Sequence, residues 1–238
     1  MKTYITNHYI FTYKENSLAA KDIEMIANEQ EKCFGKICDT LKVNYPEKIK
    51  YYLYDSPLEV GKRYGISEPI NGFAVWGENE IYAVYNENIK CIGPHEDAHL
   101  ISYIINAPKS NLISEGLAMY FDEKWWDVDN EQWASYYKKI NTDLSIVKML
   151  DNNIFDSYNC EITYPIAGAF TKYLIDKFGI DKYINLYKIT EEPKNNDFQK
   201  IFNYTIYDLE LNFWNEIIKI DYDEKLLNNI FLCKLKKS

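Results

Sequence analysis

Three histidines occur in the 238-residue chain, and two stand four positions apart in Ile92-Gly93-Pro94-His95-Glu96-Asp97-Ala98-His99-Leu100. On a helix this spacing puts both imidazoles on one face, about one turn apart. Two neutral ring nitrogens can then reach a single Zn2+ at roughly 2.0–2.1 Å. Glu96, one position on, is placed to meet a water at the metal without being a ligand itself. The pattern is HExxH, two metal ligands plus a general base. Apolar neighbours (Ile92, Leu100, Ile101, Ile104 and Ile105) describe a buried helix rather than a solvated turn, and Pro94 suits its first position.

A third ligand candidate follows in Asn111-Leu112-Ile113-Ser114-Glu115-Gly116-Leu117-Ala118-Met119-Tyr120-Phe121. The chain from His99 to Glu115 has room for two helical turns, a reversal near Asn106-Ala107-Pro108 and the first turn of a returning helix. A carboxylate on so apolar a helix is costly to bury unless it is paired or coordinated. His95, His99 and Glu115 are therefore the expected ligands of one Zn2+ per chain. The chemistry expected is hydrolysis of a peptide bond, with Glu96 taking the proton as water attacks the carbonyl and passing it to the leaving amine.

The elements that must position these groups fall into two regions. In the first, residues 4–13 alternate as one strand with Ile5, Tyr9, Phe11 and Tyr13 on a single face. A long helix from Ser17 to Val43 carries the stripe Ile23, Ile26, Ala27, Phe34, Ile37, Cys38 and Leu41. Strands are expected at Ile49–Tyr54, Phe73–Trp76 and Ile81–Tyr85, the last two joined as a hairpin through Gly77-Glu78-Asn79, with a short helix at Leu58–Tyr64. Beyond residue 92 the pattern is helical, at 95–106, 112–125, 130–140, 142–150, 164–178, 180–189, 195–202 and 206–219. The division expected is an α/β lobe over 1–107 carrying HExxH and a helical lobe over 108–238 carrying the third ligand, together one catalytic unit. Because it runs into the metal helix, Ile81–Tyr85 is expected to be the sheet edge that pairs with an extended peptide, through Ala83 and Tyr85. Trp125 and Trp126 read first as core or lobe-interface packing, with the lining of a pocket as the alternative, and His8 as a structural or exposed group.

Composition narrows the partners. Lys and Arg number 27 against 36 Asp and Glu, a net charge of −9, which disfavours a nucleic-acid binder. The cluster Lys234, Lys236 and Lys237 beside Ser238 reads as a solvated tail. No apolar run approaches the roughly 20 residues of a membrane span. Five cysteines without a CxxC pair suggest neither a disulfide framework nor a zinc ribbon, and the opening MKTYITNHYIFTY lacks a signal peptide's apolar core. A cytoplasmic protein is expected, although a trimmed secreted form would look the same. The expected partner is a peptide or unfolded-protein substrate, with no nucleic acid and no membrane.

HEDAH followed by Ser-Glu-Gly-Leu-Ala-Met-Tyr-Phe resembles the gluzincin zinc metallopeptidases, the thermolysin-like clan, and among them the small peptidase MA-like members. The opening strand and long helix, Ile49–Tyr54, the stretch from Tyr164 through Gly179 and that from Phe198 to Trp214 are similar in layout, but only the two metal motifs are specific. The resemblance implies an α+β zincin fold: a twisted mixed sheet with an active-site helix in the N-terminal lobe, and a helical lobe completing the cleft. It also implies Tyr164 as the hydroxyl that stabilises the oxyanion, with Tyr158 in reserve. The spacer to the third ligand is shorter than in larger gluzincins. Met119 stands where thermolysin-like enzymes have an Asp that orients a zinc histidine, so support must come from Asp122 or a backbone carbonyl. The aminopeptidase signature GxMEN is absent. An alternative for the same residues is an inactive, zinc-stabilised interaction module that kept the zincin scaffold.

Overall fold

The computed structural model describes residues 1–235, with the backbone alone for 233–235. The side chains of the basic cluster, Lys234, Lys236 and Lys237, and of Cys233 lie outside the described residues. The protein is α+β, with two compact units, Met1–Ile104 and Ile105–Ser238. No helix among the described residues is long and apolar enough to cross a membrane.

The first unit is built on a five-stranded mixed sheet. Its strands are β1 (Lys2–Ile5), β2 (Tyr9–Tyr13), β3 (Ile49–Tyr54), β4 (Gly72–Val75) and β5 (Glu80–Val84), in the order β1-β2-β3-β5-β4. β2, β3 and β5 run parallel, while β1 and β4 join antiparallel at the two edges. The expected single strand over 4–13 is thus a hairpin, broken at Thr6-Asn7-His8. The break leaves Ile5 exposed, while Tyr9, Phe11 and Tyr13 stay in the core. His8 at this corner stacks on Phe34 at 3.9 Å and bonds Glu31 through Nδ1 at 2.6 Å, a structural role.

Helix α1 (Leu18–Leu41) begins where Ser17 accepts a bond from the Ala20 amide, a standard side-chain cap. Its stripe Ile23, Ile26, Ala27, Phe34, Ile37 and Leu41 is buried, and Phe34 meets Tyr9 edge-on. Tyr9, Phe11 and Tyr51 form an aromatic layer on β2 and β3, with ring centroids 5.2–5.6 Å apart along Tyr9–Phe11–Tyr51. Helix α2 (Pro57–Tyr64) follows β3, and α3 (Pro94–Ser102) closes the unit, packed against α1 and β4. α3 ends four residues earlier than the pattern suggested, in the turn that leads out of the unit.

The second unit is helical: α4 (Asn111–Asp122), α5 (Asn130–Ile140), α6 (Ile146–Met149), α7 (Asn152–Ser157), α8 (Cys160–Phe178), α9 (Ile180–Tyr187), α10 (Asn195–Phe202), α11 (Ile206–Ile217) and α12 (Glu224–Leu235). Between α4 and α5 lies an unexpected two-stranded hairpin, β6 (Lys124–Trp125) and β7 (Val128–Asp129). Its tip residues Trp126 and Asp127 both have positive φ, 52° and 62°, as a two-residue type I′ connection requires. Trp125 and Trp126 pack on each other, on Trp133 and on Tyr164.

α8 is the axis of this unit, with α4 and α5 against it. It starts at Cys160, four residues before the expected Tyr164, and contains Pro165. The close approach of α4 and α8 depends on Gly116, where an added Cβ would lie 2.4 Å from Thr171 Oγ1 and 3.0 Å from the Ala167 carbonyl oxygen.

Candidate metal centre

The metal motif begins with a backbone turn that only glycine accepts comfortably. Gly93 has φ 123° and ψ −166°, outside the region open to L side chains. Pro94 then opens α3. The turn is fixed by Gln30, a fully buried residue in the apolar stripe of α1. Its Oε1 accepts from the Gly93 amide at 2.7 Å, and its Nε2 donates to the Gly93 carbonyl at 3.0 Å and to Asp97 Oδ2 at 2.9 Å. The Tyr9 hydroxyl donates to the same Asp97 oxygen at 2.5 Å.

Asp97, between the two histidines in sequence, therefore faces the interior and clamps α3 to β2 and α1. Burial pushes its carboxyl well above the usual range, with the bonds from Tyr9 and Gln30 opposing, and burial likewise raises the Tyr9 phenol. Sequence reasoning missed this clamp. The signals for it were a polar residue, Gln30, in an otherwise apolar stripe, and an aspartate on a helix whose flanks are apolar.

α3 then presents His95, Glu96 and His99 in one turn, with the two imidazole centroids 5.1 Å apart and edge to face. His99 is buried and His95 half-buried. Glu115 is half-buried on α4. One potential ligand atom from each of His95, His99 and Glu115 falls within 4.8 Å of the other two, so the group could hold a metal ion. Tetrahedral ligands at 2.0–2.2 Å are separated by about 3.4 Å, inside the 4.8 Å within which these atoms lie. Two imidazoles and a carboxylate suit a borderline divalent ion.

Glu96 is directed toward the sheet edge. An added Cβ on Gly72 would stand 3.1 Å from Glu96 Oε1 and 2.8 Å from Cys91 Sγ. Glycine at the start of β4 thus leaves the space that the carboxylate uses. The edge strand itself differs from expectation. β5 is paired on both sides, by β3 and β4, so Ala83 is not an edge residue, and Tyr85, just past the strand, donates its amide to the Tyr54 carbonyl and bridges to Lys90. Both are fully buried, and the Tyr85 hydroxyl is spent on Asp22 at 2.9 Å. Only a terminal strand keeps unpaired backbone groups, and beside α3 that strand is β4. A substrate role for Ala83 and Tyr85 falls with this correction.

Tyr164 is half-buried in the second turn of α8, its ring against Trp125 and Phe155 at 5.8 and 6.3 Å. Tyr158 caps the end of α7. Met119 is fully buried, and its carbonyl accepts from Asn130 Nδ2 at 2.8 Å.

Compared with protein-family models and with curated proteins, the chain matches none.

Proposed function

We propose that the protein is a zinc-dependent peptidase with a zincin fold of the gluzincin kind. One observation carries the reading: His95 and His99 on α3 and Glu115 on α4 bring three ligand atoms within 4.8 Å, and Glu96 of α3 faces β4, a terminal strand of the sheet. Zinc, when bound there, would supply a Lewis acid for a peptide carbonyl and lower the pKa of a water towards ~7.

The chain's own residues supply the rest. β4 takes the substrate backbone through its unpaired N–H and C=O groups, which recognise an extended peptide with little demand on sequence. Glu96 withdraws the proton from the attacking water and delivers it to the departing amine. A purely structural site has no use for that carboxylate, which favours a catalyst over an interaction module. Tyr164 is assigned to donate to the developing oxyanion. Asp97, Gln30 and Tyr9 hold α3 still while this happens.

The test is metal content per chain with cleavage of a quenched peptide library, for the wild type, His99→Ala and Glu96→Gln. About one zinc is expected in the wild type and in Glu96→Gln, and little in His99→Ala, with cleavage in the wild type alone. A wild type that cannot be loaded with zinc refutes the reading. One that binds zinc, cleaves nothing and unfolds on chelation supports the interaction module instead.

A further inference from the structure

The first unit contains a cavity of about 290 Å3 lined by Tyr45, Pro46, Trp76, Leu100 and Ile104, with Glu47 and Asn79 among its polar residues. Trp76 is 63% exposed and Ile104 47% exposed. Large apolar side chains standing open around one cavity mark a binding surface more often than chance packing. The cavity is at the lower end of ligand-site volumes, room for one large side chain rather than a cofactor.

Its position relative to Glu96 follows from the register of the edge strand. Alternate strand residues point to one face, so Gly72 and Ala74 share a side of β4, and Trp76 follows in the turn just past its end. Gly72 meets Glu96, and Trp76 meets Tyr103 edge-on at 6.1 Å and shares the cavity with Leu100 and Ile104. Glu96, Leu100 and Ile104 recur at intervals of four along α3 and just past its end. The strand and the helix therefore run side by side, from the carboxylate at one end to the cavity at the other. At about 3.3 Å per residue β4 itself spans roughly 10 Å, with Trp76 one residue beyond its end. Tyr103 bridges the two ends, 5.9 Å from the His99 ring.

We infer that this cavity is a specificity pocket for an aromatic or large aliphatic side chain of an extended peptide paired along β4, about four residues from the bond cleaved. Trp76 and Ile104 are its determinants. Antiparallel pairing puts that side chain on the amino side of the scissile bond, and parallel pairing puts it on the carboxyl side. The inference rests on the peptidase reading for the meaning of the distance, but not for the pocket itself.

The experiment has two arms. In the first, zinc-loaded wild type, Trp76→Ala and Ile104→Ser are given internally quenched peptides in which each position on both sides of the scissile bond carries Phe, Leu, Ala or Asp. One distal position is expected to favour Phe or Leu over Ala by roughly tenfold or more in kcat/KM, with the ratio falling to near unity in Trp76→Ala and Ile104→Ser. In the second arm, zinc-loaded Glu96→Gln, with and without Trp76→Ala, binds the same peptides carrying a fluorescein label, read by anisotropy. If the wild type cleaves nothing but Glu96→Gln binds Phe-bearing peptides in a Trp76-dependent manner, the peptidase reading fails and the pocket stands. Preferences that are flat at all distal positions, or unchanged by Trp76→Ala, overturn it, as does failure of every peptide to bind. Circular dichroism of each variant guards against misfolding, which exposed positions make a small risk.

Discussion

Replacing Gln30 with Met keeps the length of the side chain and removes its hydrogen bonding. Three bonds disappear: to the Gly93 amide, to the Gly93 carbonyl and to Asp97 Oδ2. At about 1 kcal/mol net for each, the cost is about 3 kcal/mol. For a chain of this length that lowers Tm by roughly 6–12 °C. The loss falls on the turn that starts α3, so metal retention should fall with stability. The assay is urea denaturation of the metal-free protein, followed by competition for limiting zinc against a chromophoric chelator. Glu29→Gln, on the exposed face of α1, is the control and should stay within about 0.5 kcal/mol of wild type. A Gln30→Met variant within about 1 kcal/mol of wild type would refute the clamp. So would one that is strongly destabilised yet holds zinc as tightly as before.

Other outcomes follow from the same structure. Gly116→Ala should cost about 1–3 kcal/mol by overpacking, because Thr171 is held in place by the Tyr183 hydroxyl at 3.1 Å; Thr171→Ala should recover part of that, and strict additivity in a double-mutant cycle argues against the contact. Glu80 is held below its ordinary carboxyl value: burial raises it, but bonds from Tyr82 at 2.6 Å and Lys50 at 3.1 Å outweigh burial. A depressed carboxylate stabilises fully above its unfolded pKa and loses that contribution as pH falls through the folded value. Tm should therefore drop more steeply below about pH 4.5 in wild type than in Glu80→Gln, and equal slopes would contradict the assignment. Tyr164→Phe should lower kcat by about 100-fold with KM little changed; an unchanged kcat removes Tyr164 from the reaction.

Local chemistry was the legible part of this chain. His95, His99 and Glu115 were legible by residue type and spacing, and α1, β3 and α5 by the period of their apolar residues. What failed depended on partners distant in sequence. Strand order is a tertiary property: the hairpin of Phe73–Trp76 with Ile81–Tyr85 was legible, but nothing in it revealed that β3 would pair on the other side of β5 and leave the edge to β4. The break between β1 and β2 carries no glycine or proline and read as continuous alternation. The helix expected from Tyr164 starts at Cys160, with Asn159 as its cap residue, and runs on through Pro165. Gln30 was visible as a polar intruder, but its role required knowing that Gly93 lies opposite.

The clamp also orders events in folding. Gln30 and Gly93 are 63 positions apart, and Tyr9 and Asp97 are 88 apart. Contacts of such long range close late, after the loop entropy of the intervening chain has been met by other interactions. The helix bearing both histidines is therefore seated only when β2 and α1 are already in place, and a ribosome-bound chain that has just completed His99 carries that platform but still lacks Glu115. Under the peptidase reading, metal capture is then a late event in folding rather than its nucleus. A permutant that moves residues 1–41 to the carboxyl end would delay it further.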